Sequence, residues 1–213
     1  MAKALESGIE SLHNHEMMEL YLFSALPRCN TNELAHALEK KFKTFHAVCA
    51  ASIEELTEIK GIGQAAAKQI KLFPQIARAY HTGLYGDKLK YSDTKNLGLF
   101  CVHLLSTRTN EAFYVLCFNS GGSLLKSALV AEGTPSQVFV EPRQVIEHIA
   151  NTSTTSVIIC HNHPGGSSIP SQNDIDTTQK IKFALEAIDI ELRDHIIVAS
   201  GNFISFTELK IRV

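Results

Sequence analysis

Hydrophobic positions in the first 80 residues recur every three or four residues, which is the period of an α-helix. The segment 31–42 gathers its apolar residues on one helical face, behind an N-cap at Thr31 or Asn32. Ser52 followed by Glu55 is a capping box and predicts the start of another helix. No stretch in this region shows the period of two that is typical of a strand, so we expect it to be all helical.

Beyond about residue 95, short apolar runs alternate with turn-forming residues. The run EAFYVLCF, at 111–118, is followed by NSGG, which predicts a β-hairpin. The run SVIIC, at 156–160, does not alternate and predicts a strand that is buried on both faces. Two segments with helical spacing lie on either side of that strand, and Ser171 caps the second of them. A last hairpin is expected in LRDHIIVASGNFISF, so the fold class is α/β, or more loosely α+β.

The pattern breaks between the two halves. The segment 81–94 reads HTGLYGDKLKYSDT and has neither helical nor strand periodicity. We therefore predict an all-α domain at 1–83, a linker at 84–94 and a mixed domain at 95–213.

Charge and cysteine content narrow the classes of function. The 213 residues carry a net charge of −2, with +1 in residues 1–90 and −3 in residues 91–213. Neither part has the basic excess of a dedicated nucleic-acid binder. No apolar run is long enough to span a membrane, and the N-terminus lacks the apolar core of a signal peptide. The five cysteines are scattered without a C-x-x-C pair, which is typical of reduced thiols, so we expect a cytoplasmic protein.

A Gly-x-Gly turn separates two of the N-terminal helices. Gly61 suits a left-handed helix end, and Gly63 allows another backbone to approach closely. Exposed amides at the start of the second helix can hold a phosphate, and Lys60, Lys68 and Lys71 add positive charge. The segment resembles the helix-hairpin-helix motif of DNA-binding proteins, which implies a DNA contact through Lys60, Gly61, Gly63 and Lys68. A plain helical hairpin that packs or binds protein remains the alternative.

The second half contains a set of residues suited to a metal ion. His161 and His163 continue the buried strand and point to the same side of it, because side chains alternate along a strand. A Pro-Gly-Gly turn follows, and Ser171 and Asp174 open the next helix. A near capping box explains Ser171 and Asp174 without any metal. Together, however, two imidazoles and one carboxylate form the donor set of a catalytic zinc site with a water in the fourth position.

The same stretch, HNHPGGSSIPSQND, resembles the JAMM motif: His-x-His-Pro, six residues, then Ser-x-x-Asp. This is the motif of the JAB1/MPN metalloproteases. The mixed domain is similar to the RadC branch of that family, as is the helix-hairpin-helix before it. The resemblance implies a JAB/MPN, cytidine-deaminase-like mixed sheet flanked by helices, with Zn²⁺ held by His161, His163 and Asp174.

The resemblance also implies a mechanism. Glu111, at the start of EAFYVLCF, matches the family's catalytic glutamate, whereas without the resemblance it would be read as a solvated charge at a strand edge. Glu111 then takes a proton from a metal-bound water that attacks the carbonyl of a peptide or isopeptide bond. The Ser171 hydroxyl helps to stabilise the oxyanion. The expected substrate is a peptide or a protein.

Some alternatives stay open at this point. The chain could instead be a DNA-associated protein, linked to repair or recombination, in which catalysis is incidental; the intact set of five site residues favours the enzyme. His195 is either a buried core residue or a neighbour of the ligands. His13 and His15 stand two apart in a predicted helix, where side chains diverge by about 200°, so we expect this pair to share no ion.

Overall fold

The computed structural model describes residues 2–26, 29–85, 89–105, 107–134 and 136–212. The chain divides into two compact units, 1–77 and 78–213. The linker expected at 84–94 stays a prediction, and its residues 86–88 lie outside the described ranges.

All regular secondary structure in the described part of the first unit is helical, as its sequence period indicates. Its elements are α1 Ala2–Ser7, a 3₁₀ turn Ile9–Ser11, α2 Asn14–Ala25, α3 Thr31–Phe42, α4 Phe45–Ala50, α5 Ile53–Thr57 and the beginning of α6 Gln64–Tyr85. The capping box that opens α5 is confirmed, because Ser52 and Glu55 each accept a hydrogen bond from the other's backbone N–H. The cap expected at Thr31 or Asn32 is wrong. Asn30 is the N-cap, since its backbone is extended and its side chain accepts from the Asn32 N–H.

The second unit is built on a five-stranded mixed sheet in the order β2-β1-β3-β4-β5. Its elements are α7 Thr94–Leu105, β1 Ala112–Phe118, β2 Leu124–Glu132, α8 Pro142–Ile149, β3 Ser156–Asn162, α9 Gln172–Glu186, β4 Glu191–Ala199 and β5 Asn202–Ser205. The β3–β4 pair is parallel and joined through α9, while the other three pairs are antiparallel. Both expected hairpins, β1–β2 and β4–β5, are present.

Helices cover both faces of this sheet, and alternate strand residues therefore enter two different cores. Even-numbered residues of β1 and β3, such as Leu116 and Ile158, pack with α7. Odd-numbered residues, such as Val115 and Ile159, pack with α8 and α9. Every residue of β3 is buried, which confirms the strand buried on both faces. The parity also assigns odd-numbered polar residues at the strand ends to the α9 side of the sheet.

None of the described helices combines the length and the apolar content needed to cross a bilayer.

Candidate metal centre

The carboxyl end of β3 presents two imidazoles toward α9. His161 lies on the strand, paired with Phe113 of β1 on one side and Ile197 of β4 on the other. His163 lies just beyond the strand, where its backbone N–H still donates to the Val198 carbonyl at 2.8 Å. The two side chains therefore leave the same face of the sheet, as their spacing predicts.

A tight loop then turns the chain into α9. Gly166 has a φ of +85°, a backbone conformation that favours glycine, and its N–H donates to the His163 carbonyl. Ser171 is the N-cap of α9, as predicted, and its Oγ accepts from the Asp174 N–H at 3.1 Å. The Asp174 carboxylate in turn accepts from the Ser171 N–H and hydroxyl, both at 2.7 Å. The capping box therefore holds the carboxylate at the helix start.

The structure brings all three predicted donors together. His161 Nε2 lies 2.8 Å from His163 Nε2 and 3.1 Å from Asp174 Oδ1, and His163 Nε2 lies 3.5 Å from Asp174 Oδ2. These separations bracket the distance of about 3.3 Å between neighbouring ligands in a tetrahedral site with bonds of about 2.0 Å. The His161 side chain is only 1% exposed, so its donor atom is shielded from bulk water.

Hydrogen bonds behind His161 settle which of its nitrogens carries the proton. Thr178 Oγ1 donates its only proton to the Asp174 carbonyl, so it must accept from His195 Nδ1, which lies at 2.7 Å. His195 is then protonated on Nδ1, and its Nε2 accepts from His161 Nδ1 at 2.8 Å. In the neutral ring, His161 Nε2 therefore carries a lone pair directed at His163 and Asp174.

His163 is oriented in the same way by the loop. Its Nδ1 donates to the Ser167 carbonyl at 2.7 Å, which leaves the lone pair of the neutral ring on Nε2. Two imidazole lone pairs and a carboxylate therefore converge on one point. Such a set of electron-pair donors fits a cation, either a proton or a metal ion, and its two nitrogens and one oxygen suit Zn²⁺.

The charges of the site perturb the pKa values of its members. Burial raises the pKa of Asp174, but hydrogen bonds with His161, His163 and Ser171 outweigh burial and hold it far below its usual range. The hydrogen bond to Asp174 raises the pKa of His163, although burial opposes it. Burial lowers the pKa of His195, which keeps that ring neutral, as its two hydrogen bonds require.

Glu111 lies immediately before β1 and on the same side of the sheet. Its backbone is held at the end of the β1–β2 pair by two hydrogen bonds, to the Thr134 carbonyl and from the Gly133 N–H. Burial raises the pKa of the Glu111 carboxylate, while the nearby imidazoles of His161 and His163 lower it by a smaller amount. Glu111 is therefore a carboxylate within electrostatic reach of the candidate ligands, rather than a solvated charge.

A cleft of about 370 Å³ gives access to the site. It is lined by Glu111, Ser136, Gln137, Val138, His163, Gly165, Ser167, Ser171, Asn173 and Asp174. Both predicted catalytic residues thus face the same space as two of the candidate ligands, His163 and Asp174. The Ser171 hydroxyl donates its proton to Asp174, so its role at an oxyanion stays a prediction.

Comparison with known proteins agrees with this geometry. Residues 91–211 match the family model described as a RadC-like JAB domain, and residues 31–73 match a SAM-like helix-hairpin-helix tandem. The chain belongs to the RadC family. Its similarity to curated members extends beyond the JAB domain, over almost the whole length of the chain.

Three similar RadC-family relatives carry the name UPF0758 protein. The relative from Rhodobacter capsulatus is 33% identical over 95% of this chain and 94% of its own length. Those from Ruegeria pomeroyi and Clostridium botulinum strain Alaska E43 are 32% and 30% identical, over 95% and 97% of this chain and 90% of their own lengths. These names state no reaction and no ligand.

The helix-hairpin-helix match includes the Gly-x-Gly turn. Gly61 has a φ of +103°, and a Cβ there would lie 2.8 Å from a methyl carbon of Leu34. A Cβ placed on Gly63 would meet no described atom within 4 Å other than those of its two chain neighbours. Lys60 and Lys68 are exposed, as a phosphate contact requires. Lys71 is directed elsewhere, because its Nζ donates to the carbonyls at the end of α4.

Sequence reasoning left two members of this RadC-family site unassigned. His195 is both buried and bonded to His161, and Thr178 connects it to α9. The period of two along β4 places His195 on the α9 face, but only the pairing of β4 with β3 brings it beside His161.

Proposed function

We propose that this RadC-family protein is a zinc-dependent metallopeptidase or amide hydrolase of the JAMM type, which cleaves a peptide or isopeptide bond. The observation that carries the proposal is the convergence of two imidazole lone pairs and a carboxylate beside a second carboxylate of raised pKa. A purely structural cluster has no need of a further acid that faces the same cleft.

In this proposal His161, His163 and Asp174 hold the zinc ion. A zinc ion with three protein ligands lowers the pKa of a water in the fourth position to about 7 and polarises a carbonyl. His195 positions His161 by accepting its Nδ1–H, so that Nε2 remains available to the ion. The capping box on Ser171 does the same for the carboxylate of Asp174.

Glu111 serves as the general base. Burial raises the pKa of its carboxyl toward the range in which a group both accepts and releases a proton near neutral pH. A hydrogen bond from the Val138 backbone acts in the opposite direction and lowers the pKa, which keeps the carboxylate form accessible. Glu111 would take a proton from the attacking water and deliver it to the leaving amine. The Ser171 hydroxyl would turn from Asp174 and help to stabilise the oxyanion.

The test separates metal binding from proton transfer. Zinc content is measured by elemental analysis. The rate of hydrolysis is measured with internally quenched peptides and with a lysine-linked isopeptide. Glu111→Gln is expected to keep its zinc and to lose about 10²–10⁴-fold in rate. His161→Ala is expected to lose the zinc held by His161, His163 and Asp174 and, with it, the hydrolytic activity. Glu186→Gln, at the exposed far end of α9, is the matched control and is expected to behave as the wild type.

Two results would contradict the proposal. A Glu111→Gln protein that hydrolyses these substrates at the wild-type rate removes the assigned base. A wild type that holds no zinc, after purification in its presence, removes the enzyme altogether.

A second candidate function is DNA association through the helix-hairpin-helix. It is favoured by the family match at 31–73 and by the open space around Gly63 beside exposed Lys60 and Lys68. Two helix-start amides and two lysines can contact a phosphate backbone without reading its sequence. The net charge of +1 in residues 1–90 makes this contact a weak one.

A salt titration of duplex DNA binding tests this second function. The double variant Lys60→Ala, Lys68→Ala is expected to weaken binding and to flatten the dependence of affinity on salt. Lys40→Ala, an exposed lysine of α3, is the control. Equal salt slopes for all three proteins would exclude the assigned contact.

The location that accompanies this proposal is the cytoplasm, which the scattered cysteines of the sequence favour.

A further inference from the structure

Two helices of the first unit, α2 and α3, are joined by two side-chain hydrogen bonds. Near the start of α2, the Asn14 side chain donates to the Lys43 carbonyl just after α3. Farther along α2, Glu19 accepts from the Asn32 side chain at the start of α3. The helices are therefore antiparallel neighbours, and side chains between these two contacts are held on firm backbone.

Between these contacts lies a group of three potential metal ligands. His15 Nδ1 and His36 Nδ1 approach the same atom, Glu39 Oε2, at 3.6 and 3.8 Å. His36 and Glu39 are one helical turn apart on α3, so they share a face. The rings of His15 and His36 stack with centroids 4.4 Å apart. Within the described chain, His15, His36 and Glu39 form one of two groups with donor atoms all within 4.8 Å.

The spacing of this group is unusual for hydrogen bonds. Both distances to Glu39 Oε2 exceed the 2.7–3.2 Å of an N–H···O bond, and they are nearly equal. An imidazolium–carboxylate pair would favour one ring at a shorter distance. Two imidazole nitrogens and a carboxylate oxygen around a common point instead match the donor set of a metal site.

We propose that His15, His36 and Glu39 form a second, separate metal site, which binds a transition-metal ion between α2 and α3. Imidazole nitrogens favour Zn²⁺, Co²⁺, Ni²⁺ and Cu²⁺, whereas Mg²⁺ and Ca²⁺ require mainly oxygen ligands. The side chains are 26%, 53% and 33% exposed, so the ion has direct access from solvent and keeps water in its remaining positions. His13, at the N-cap of α2, is not one of the ligands.

Binding at this site has a structural consequence. The ion joins two helices through side chains that lie 21 and 24 positions apart in the sequence. An ion that binds the folded helices more tightly than the unfolded chain raises the stability of the first unit. This inference is independent of the hydrolase proposal, because it uses none of that site's residues.

The experiment uses the full chain. The first site, formed by His161, His163 and Asp174, is disabled by His161→Ala and His163→Ala. This protein is titrated with Zn²⁺ against a chromophoric chelator, and with Co²⁺, whose visible spectrum reports nitrogen and oxygen ligation. We expect one bound equivalent. Adding His36→Ala should abolish it, and His36 is exposed enough for the change to leave the fold intact. Adding His103→Ala is the matched control, since His103 stacks on His81 at 4.2 Å but belongs to no group of three donors among the described residues.

The outcomes distinguish the two proposals. If the first-site variant binds no zinc, or if His36→Ala retains the ion, the second site is refuted and the hydrolase proposal is untouched. If the wild type binds a single ion that survives His161→Ala and His163→Ala but is lost with His36→Ala, the second site stands and the hydrolase fails. If the protein with His161→Ala and His163→Ala does not fold, the test is made in the wild-type background. There Glu39→Gln is expected to reduce the number of bound zinc ions from two to one. A Glu39→Gln protein that binds as many zinc ions as the wild type would overturn the inference.

Discussion

Replacing Thr178 by valine removes one hydroxyl from the hydrogen-bond chain behind His161. Valine has nearly the shape of threonine, so the change opens no cavity around this buried position. The His195 Nδ1–H then loses its acceptor. If the His195 proton moves from Nδ1 to Nε2, it faces the Nδ1–H of His161. The hydrogen bond between the two rings is then kept only if the His161 proton moves from Nδ1 to Nε2. A protonated Nε2 cannot bind a metal ion.

The size of the effect follows from these contacts. A buried N–H without a partner costs about 1–3 kcal/mol of stability. Loss of a residue that orients a metal ligand lowers metal affinity about 10–100-fold, which corresponds to about 1.4–2.8 kcal/mol. We therefore expect Thr178→Val to fold, to melt at a lower temperature and to bind zinc about 10–100 times more weakly at the first site.

The assay is a zinc titration in competition with a chromophoric chelator, in the His36→Ala background so that only the first site is measured. Thr178→Ser is the control. It retains the hydroxyl, loses one methyl group at a cost of about 0.8 kcal/mol, and should keep the wild-type affinity. If the valine and serine variants bind zinc equally tightly, the hydrogen-bond chain does not set the protonation of His161 and the reasoning is wrong.

Two further predictions concern pH and backbone conformation. The hydrogen bond to Asp174 raises the pKa of His163 above 6.5. The protonated ring therefore stabilises the metal-free protein at low pH, and this stabilisation is lost as the pH rises through the raised pKa. Zinc requires the neutral ring, so its affinity, measured by calorimetry between about pH 6 and pH 8, should fall on acidification; a constant affinity would contradict this. Gly61→Ala should lower the free energy of unfolding by about 1–3 kcal/mol, because of its positive φ and the contact with Leu34. Gly63→Ala, where the described neighbours leave space, should cost less in the same denaturant titration, and equal losses would refute the argument.

Local sequence patterns predicted the elements that carry the first site. The uninterrupted apolar run before His161 predicted β3, and Ser171 predicted the start of α9, because both signals lie within a few residues of the element they define. His161, His163 and Asp174 all belong to the segment 161–174, so a strand, a loop and a helix start suffice to bring them together. Glu111 needed the family resemblance.

Contacts between elements that are distant in the sequence could not be predicted from local patterns. His195 reaches His161 only because β4 is the parallel neighbour of β3, and no local period encodes the order of strands. His15 meets His36 because α2 and α3 pack antiparallel, whereas the sequence pattern paired His15 only with His13. The spacing of residues in the sequence predicts which side chains share a face of one helix or strand. Both of these contacts join side chains of two different elements.

The compact segment that holds the three first-site donors affects the unfolded state as well. When β3 and α9 melt, His161, His163 and Asp174 remain within one short stretch of chain and can still close around an ion at a small entropic cost. An ion stabilises a fold only through the difference between its affinities for the folded and unfolded chains. A zinc ion at this site would therefore protect the fold less than its affinity for the native state alone indicates, and denaturant should unfold the chain before all of the metal dissociates.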